Sequence, residues 1–273
     1  DAEDMYLGDT LVAGDLNGDG VFDLVSGSAN GTVVAVYDGL GLTADSIPSQ
    51  TYMPSGGSAG TSLLIVDVTG DGRNDLVVGQ ASASVPDGRL SAYYAETTFP
   101  DGTEDWAVLG ATGSLLGAAL ANGGDLEGDG VEDILAGGPE ADTVYVYRGT
   151  SAGPSSAAVA LNGGSAGDAF GSTLASVGDI DGDGRDDFLV GSPEANASAG
   201  AVSLYFGTHT SVLASAFVSP GSEGAAAQDR FGYSLAVAGD VNADGFDDVV
   251  VGAYENDTVA SGAGAAYVFH GSA

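Results

Sequence analysis

The sequence predicts an all-β fold, a β-propeller of about five four-stranded blades, and three observations carry that prediction. An acidic phrase recurs five times: DLNGDGVFDLVSG from Asp15, DVTGDGRNDLVVG from Asp67, DLEGDGVEDILAG from Asp125, DIDGDGRDDFLVG from Asp179 and DVNADGFDDVVVG from Asp240, at spacings of 52, 58, 54 and 61 residues. Repeats of that length are supersecondary units that share a core with their neighbours. Short β-rich runs flank every copy, and no segment keeps a 3.6-residue period. Four antiparallel strands per unit, repeated radially, is the blade pattern of a propeller.

Within each unit the first strand is the small-residue and apolar run before the acidic phrase (TLVAG, TSLLIV, LGAALA, TLASVG, SLAVAG). The second follows at once (DLVSG, DLVVG, DILAG, DFLVG, DVVVG). After a turn comes a third strand rich in Tyr, Val and Phe, at 32–37, 90–94, 143–147, 201–206 and 265–269, and then a weaker fourth (SQTYM, EDWAVL, SAAVALN, ASAFVS). The units run over 7–53, 54–109, 110–161, 162–219 and 220–273, in one domain spanning 1–273. The fifth unit has no fourth strand. Asp1 to Tyr6 would supply it if the ring closes; otherwise the ring is part of a larger one or stays open, and an open edge invites self-association.

Composition narrows the function. Thirty-nine acids face five arginines and no lysine, a formal charge of −34. Such a surface repels phosphate backbones and anionic lipid, which argues against nucleic acid as a partner. No apolar run reaches the roughly 18 residues of a membrane span, so membrane insertion is not expected. Cysteine is absent, which removes disulfides and thiolate zinc sites.

The acidic phrase reads as a metal loop. Counting from its first Asp, oxygen side chains stand at positions 1, 3, 5 and 9 and a backbone carbonyl at 7. The sets are Asp15, Asn17, Asp19, Val21 and Asp23; Asp67, Thr69, Asp71, Arg73 and Asp75; Asp125, Glu127, Asp129, Val131 and Asp133; Asp179, Asp181, Asp183, Arg185 and Asp187; and Asp240, Asn242, Asp244, Phe246 and Asp248. An all-oxygen set suits a hard cation that takes six to eight ligands, so up to five Ca2+ are expected, while zinc and copper are not. Glycine at position 6 permits the backbone reversal. An EF-hand needs a bidentate Glu at position 12, where Ser26, Val78, Ala136, Val190 and Val251 stand instead. The aliphatic residue at position 2 (Leu16, Val68, Leu126, Ile180, Val241) is expected to turn inward. The fourth loop, with four carboxylates, is expected to bind tightest and the second, with Thr69, weakest. Ala243 replaces glycine in the fifth.

The phrase FG before the loop (Phe170-Gly171, Phe231-Gly232, more loosely Leu116-Gly117 and Leu7-Gly8) and GSP, GGP or GAY after it, at Gly191, Gly137 and Gly252, resemble the FG-GAP repeats of the integrin α-subunit N-terminal propeller. The resemblance covers nearly the whole chain and implies a bacterial integrin-like protein, secreted or at the cell surface. Integrin-type propellers have seven blades, and the second unit keeps neither motif cleanly (Ala59-Gly60, then Gly79-Gln80-Ala81).

Other residues yield weaker chemistry. His209 and His270 each lie beyond a third strand and read as solvent-facing rather than catalytic; Glu3-Asp4 and Glu104-Asp105 read as solvated acids. Asn30, Asn196 and Asn256 begin glycosylation triplets. Trp106 and the eleven tyrosines could line a sugar site, but the third-strand Tyr37, Tyr94, Tyr147 and Tyr267 sit at equivalent repeat positions and are expected to pack blades instead. The chain is therefore expected to be a non-enzymatic, calcium-stabilised extracellular propeller for adhesion or for recognition of a protein or glycan ligand. The alternatives are an accessory domain of a secreted hydrolase or lyase and a purely structural surface protein.

Overall fold

The computed structural model describes residues 7–29, 31–43, 47–55, 58–82, 84–95, 99–208 and 226–271, with the backbone of 213–218. Among the described residues, four four-stranded sheets and one three-stranded sheet follow one another, each a meander in chain order with antiparallel neighbours. The first holds β1 (Thr10–Gly14), β2 (Asp23–Gly27), β3 (Val34–Tyr37) and β4 (Gln50–Tyr52); the second β5 (Ser62–Val66), β6 (Asp75–Ser82), β7 (Val85–Tyr93) and β8 (Trp106–Leu109). The third holds β9 (Ala119–Gly124), β10 (Asp133–Gly138), β11 (Thr143–Tyr147) and β12 (Val159–Asn162). The fourth holds β13 (Thr173–Gly178), β14 (Asp187–Ser192), β15 (Ala201–Phe206) and β16 (Leu213–Val218), and the fifth β17 (Phe231–Gly239), β18 (Asp248–Ala253) and β19 (Ala265–Phe269). No described helix is long and apolar enough to cross a membrane.

Strand position explains strand composition. The second strands β10 and β14 are buried along their whole length, because a neighbouring sheet covers each face. The fourth strands β8 and β12 alternate half-buried and exposed residues, as edge strands with one covered face do. First strands pack in succession, β1 on β5, β5 on β9, β9 on β13 and β13 on β17. Closure between the fifth sheet and the first is not seen among the described residues.

Four apolar clusters hold the sheets together, one per interface. Leu16, Val34, Leu76 and Tyr93 join the first two sheets; Val68, Leu90, Ile134 and Tyr147 the second and third; Leu126, Val146, Phe188 and Tyr205 the third and fourth; Val177, Leu189, Phe231 and Val251 the last two. The aromatic that ends each third strand occupies an equivalent register: Leu24 opposes Tyr37, Leu76 Tyr93, Ile134 Tyr147, Phe188 Tyr205 and Val249 Phe269. This corrects the expected set at two members. Tyr93, not Tyr94, takes this register position in the second unit, and Phe269, not Tyr267, in the fifth; Tyr94 and Tyr267 still pack on the blade cores, Tyr267 at 5.5 Å from Phe231. Tyr93 lies 4.9 Å from Tyr52, and the pair fills the cluster in which small Ala59 stands at the FG position. Trp106 packs edge-to-face with Tyr147 at 5.2 Å, in a blade-packing role.

Glycines from the two motifs meet at every interface. Gly27, Gly79, Gly137 and Gly191, each on a second strand, abut Gly60, Gly117, Gly171 and Gly232 of the following unit, and a Cβ on the first of each pair would overlap the backbone of the second. The following glycines all have φ between +86° and +89°. Hydroxyls of Thr10, Ser62 and Thr173 donate to the carbonyls of Gly60, Gly117 and Gly232 at 2.6, 2.7 and 2.7 Å. Ser234 faces Gly252 in the same way on the fifth sheet, where Tyr233, Val237 and Val268 remain exposed.

Candidate metal centres

Each acidic loop runs from the end of a first strand to the start of a second, and the position-1 carboxylate organises it. Asp179 Oδ1 accepts the N–H groups of Gly182 and Asp183 at 2.7 and 2.9 Å, and its Oδ2 accepts that of Gly184 at 2.8 Å. Asp15, Asp67 and Asp125 do the same in their loops. Such bonds need positive φ at positions 4 and 6, which glycine supplies at both in the first four loops. In the fifth, Ala243 takes φ 61°, and Asp240 accepts only from Asp244 and Gly245. The loop expected to deviate thus keeps the shared path at the cost of a left-handed alanine.

Position 9 ties three segments together. Asp23, Asp75, Asp133, Asp187 and Asp248 are all fully buried at the start of a second strand. One oxygen of each accepts the N–H of position 2 at 2.9–3.1 Å. The other accepts the N–H of the residue just beyond the third strand, namely Gly39, Ala95, Gly149, Gly207 and Gly271, at 2.8–3.0 Å. Burial raises Asp75 to about 7, Asp133 to about 8 and Asp187 to about 6, against the opposing pull of those N–H bonds. Asp248 is the exception: burial also pushes it up, but its two N–H bonds and His270, whose Nδ1 lies 3.1 Å away, hold it below the usual carboxylate range. That contact and the exposure of His270 agree with the solvent-facing expectation; His209 lies outside the described residues.

The five loops differ in how their acids converge. Carboxylate oxygens of Asp179, Asp181 and Asp187 all lie within 4.8 Å of one another, and among the described residues no other loop brings three acids together. Position 3 explains the difference. The first, second and fifth loops carry neutral Asn17, Thr69 and Asn242 there. In the third, Glu127 is shared between Arg148, whose Nε lies 2.8 Å away, and a side-chain hydrogen bond to Asp133. In every loop the Oδ1 of position 5 accepts the N–H of position 7 at 2.8–3.0 Å (Val21, Arg73, Val131, Arg185, Phe246); its Oδ2 takes the position-3 amide in the first and fifth loops, and in the fourth loop Arg185 holds Asp183 at 2.5 Å. The donor set is oxygen throughout, so the residues fit a hard cation, and the fourth loop presents the most carboxylate to it.

Sequence reasoning missed position 8, which links successive loops. Asn74 donates to the Asp15 carbonyl at 3.0 Å, Glu132 accepts the Asp67 N–H at 3.1 Å, and Asp186 accepts the Asp125 N–H at 2.8 Å. Phe22, at position 8 of the first loop, meets no preceding loop among the described residues and is 72% exposed. Position 2 behaves similarly at the other end. Leu16, Val68 and Leu126 are buried and Ile180 is half-buried, whereas Val241 is 57% exposed, contrary to expectation, because the following sheet covers this side chain and none follows the fifth among the described residues.

One further expectation is corrected, and one glycosylation triplet is removed. Glu104 is not a solvated acid: Arg89 Nη2 holds it at 2.6 Å, Ser91 donates to it, and these bonds keep it below the usual carboxylate range against burial, the largest influence. Asn256 is buried, with its amide on Asp229 at 2.8 Å, so that triplet is inaccessible to a glycan; Asn196 is exposed. Asn30, Glu3 and Asp4 lie outside the described residues.

These features define a repeat protein whose blades are joined, within and between units, by acidic, oxygen-lined loops. The chain belongs to the FG-GAP repeat proteins: residues 170–205 and 231–269 match the FG-GAP repeat, and residues 15–78 the FG-GAP-like repeat. It is 35% identical to integrin alpha-4 of Xenopus laevis over 54% of its length, and 30% identical to integrin alpha-5 of the same organism over 73%. Integrin alpha-V of Gallus gallus is 27% identical over 69%. The chain spans 15–20% of the length of these relatives. In structure it resembles the exotype rhamnogalacturonan lyase YesX, with a TM-score of 0.50 and 14% identity over 88% of this chain and 44% of that one, a likeness of fold.

Proposed function

We propose that the chain is a calcium-stabilised recognition propeller displayed outside the cell, which binds a protein or glycan and performs no chemistry on it. The observation that carries the calcium part is the fourth loop, where the carboxylate oxygens of Asp179, Asp181 and Asp187 converge within 4.8 Å of one another. Asp179, Asp181, Asp183, Asp187 and the Arg185 carbonyl would hold the ion there, and the matching positions of the other loops up to four more. The ion neutralises charge that otherwise repels across the loop, and so stiffens the junction between first and second strands. An extracellular site is supported by similarity to the integrin α-subunits, and a binding role by the buried acids, each committed to backbone N–H groups that hold the frame. The free face of the fifth sheet, with exposed Tyr233, Val237 and Val268, supports self-association as well. Calcium titration by calorimetry, with light scattering at rising protein concentration, tests both parts. Heat of binding that disappears from the fourth site in Asp179→Ala supports the reading; no calcium binding at all overturns it.

A further inference from the structure

We propose that the cleft between the second and third sheets is a subsite for a neutral pyranose sugar, an inference that rests on the recognition role above. The cleft, of about 520 Å³, opens between the second acidic loop, the described residues Tyr94, Phe99, Asp101 and Asp105, and Ser151 of the third unit. Tyr94 and Phe99 line it. Both are half-buried, Tyr94 packed on the core between the second and third sheets and Phe99 on the core between the first and second, so two aromatic surfaces are fixed before any ligand arrives. Burial, with Asp105 and Asp75 nearby, pushes the Tyr94 phenol to about 12, so it stays a neutral donor.

The polar lining is of mixed kind. Asp105 Oδ2 accepts the Tyr94 N–H at 2.8 Å and Asp101 Oδ1 the Thr103 N–H at 2.7 Å, and both side chains are exposed. Arg73 supplies the opposite sense. The other four arginines each pair with a carboxylate: Arg89 with Glu104, Arg148 with Glu127, Arg185 with Asp183 and Arg230 with Glu194. Among the described residues the Arg73 guanidinium makes no ion pair, although carboxylates line the same cleft. A hydroxyl donates to a carboxylate and accepts from a guanidinium, so acceptors and a donor fork set around aromatic rings suit a polyol. A cationic side chain would have to enter beside Arg73, and an anionic sugar against a formal charge of −34. A neutral sugar meets neither penalty.

Saturation-transfer NMR on the calcium-loaded chain tests this with cellotetraose, mannotetraose, maltotetraose and chitotetraose as probes, beside a lysine-rich peptide and trigalacturonate, at about 20 and 300 mM salt. At least one neutral tetrasaccharide binds with an affinity that does not change with salt, and Arg73→Ala, Asp101→Asn and Phe99→Ala each weaken it about tenfold, a loss of about 1.4 kcal/mol, while Asp101→Asn and Phe99→Ala leave the calcium-induced rise in Tm unchanged. The first two substitutions fall on exposed side chains, so the test survives if Phe99→Ala fails to fold. Silence from all four sugars, sugar binding indifferent to the substitutions, or binding confined to the peptide and lost at high salt overturns the subsite. Calcium response retained in those cases leaves the propeller reading standing; its loss removes both.

Discussion

Replacing Asp181 with Asn removes charge from the fourth loop while keeping an oxygen in place, and the two effects on stability have opposite sign. Oxygens of Asp179, Asp181 and Asp187 lie within 4.8 Å of one another. Two unit charges at that separation repel by about 0.9 kcal/mol in water and about 3.5 kcal/mol at an effective dielectric of 20. Asp179 and Asp181 are exposed, so the lower figure governs, and salt trims it further. Losing two such pairs stabilises the metal-free protein by about 1–2 kcal/mol, which for a chain of this size is a rise in Tm of about 2–8 °C. Calcium reverses the sign, because the dication loses a charge partner and binds about tenfold or more weakly. Asn17 and Asn242 show that the amide is accommodated at this position. Scanning calorimetry in EDTA and in calcium reads both effects, at about pH 8 so that Asp187, raised to about 6 by burial, is ionised. A Tm in EDTA that stays level or falls, or a calcium increment that survives intact, refutes the reasoning.

Three other outcomes follow from the loops. Arg148→Met frees Glu127 for the third site, so calcium affinity there rises about tenfold while the metal-free protein loses about 1 kcal/mol with the half-buried pair; competitive titration against a calcium dye reads the first and thermal melts the second. Ala243→Gly relieves a left-handed alanine worth about 1 kcal/mol, partly offset by the looser unfolded chain, and raises Tm by about 1–3 °C. Burial raises Asp75, Asp133 and Asp187 to about 7, 8 and 6, above the ~3.9 of an unfolded Asp. The metal-free fold therefore holds protons that the unfolded chain has released, and its stability is greatest below about pH 4 for these groups and declines as pH rises through 6 to 8. Melts in EDTA should fall across that window, while calcium uptake near pH 6.5 releases protons, measurable from the buffer dependence of the binding heat.

Much of this was legible because spacing and chemistry pointed the same way. A loop that alternates acids and glycines between two β-rich runs leaves little freedom, and all five copies fold as their spacing predicts. The role of the motif glycines became clear only in three dimensions, where Gly137 meets Gly171 and Gly191 meets Gly232 across sheets. Register was harder. In the Tyr93–Tyr94 doublet a shift of one residue exchanges a buried packing ring for one that lines a cleft, and composition carries no sign of which is which. Pairings between distant units were not legible at all: the tether of Glu132 to Asp67, the capture of Glu127 by Arg148 and the burial of Asn256 all depend on how successive sheets stack. The exposed Val241 has the same origin, since its cover comes from a following sheet.

Calcium-dependent stability is the most direct test of the account. One site saturated at a hundredfold excess over its Kd adds about 2.7 kcal/mol, so several loops together should raise Tm by about 10 °C or more between EDTA and millimolar calcium, with titration calorimetry counting up to five ions per chain. Identical melts in the two conditions, with no binding heat, would contradict the claim that calcium in the acidic loops holds the blades in place.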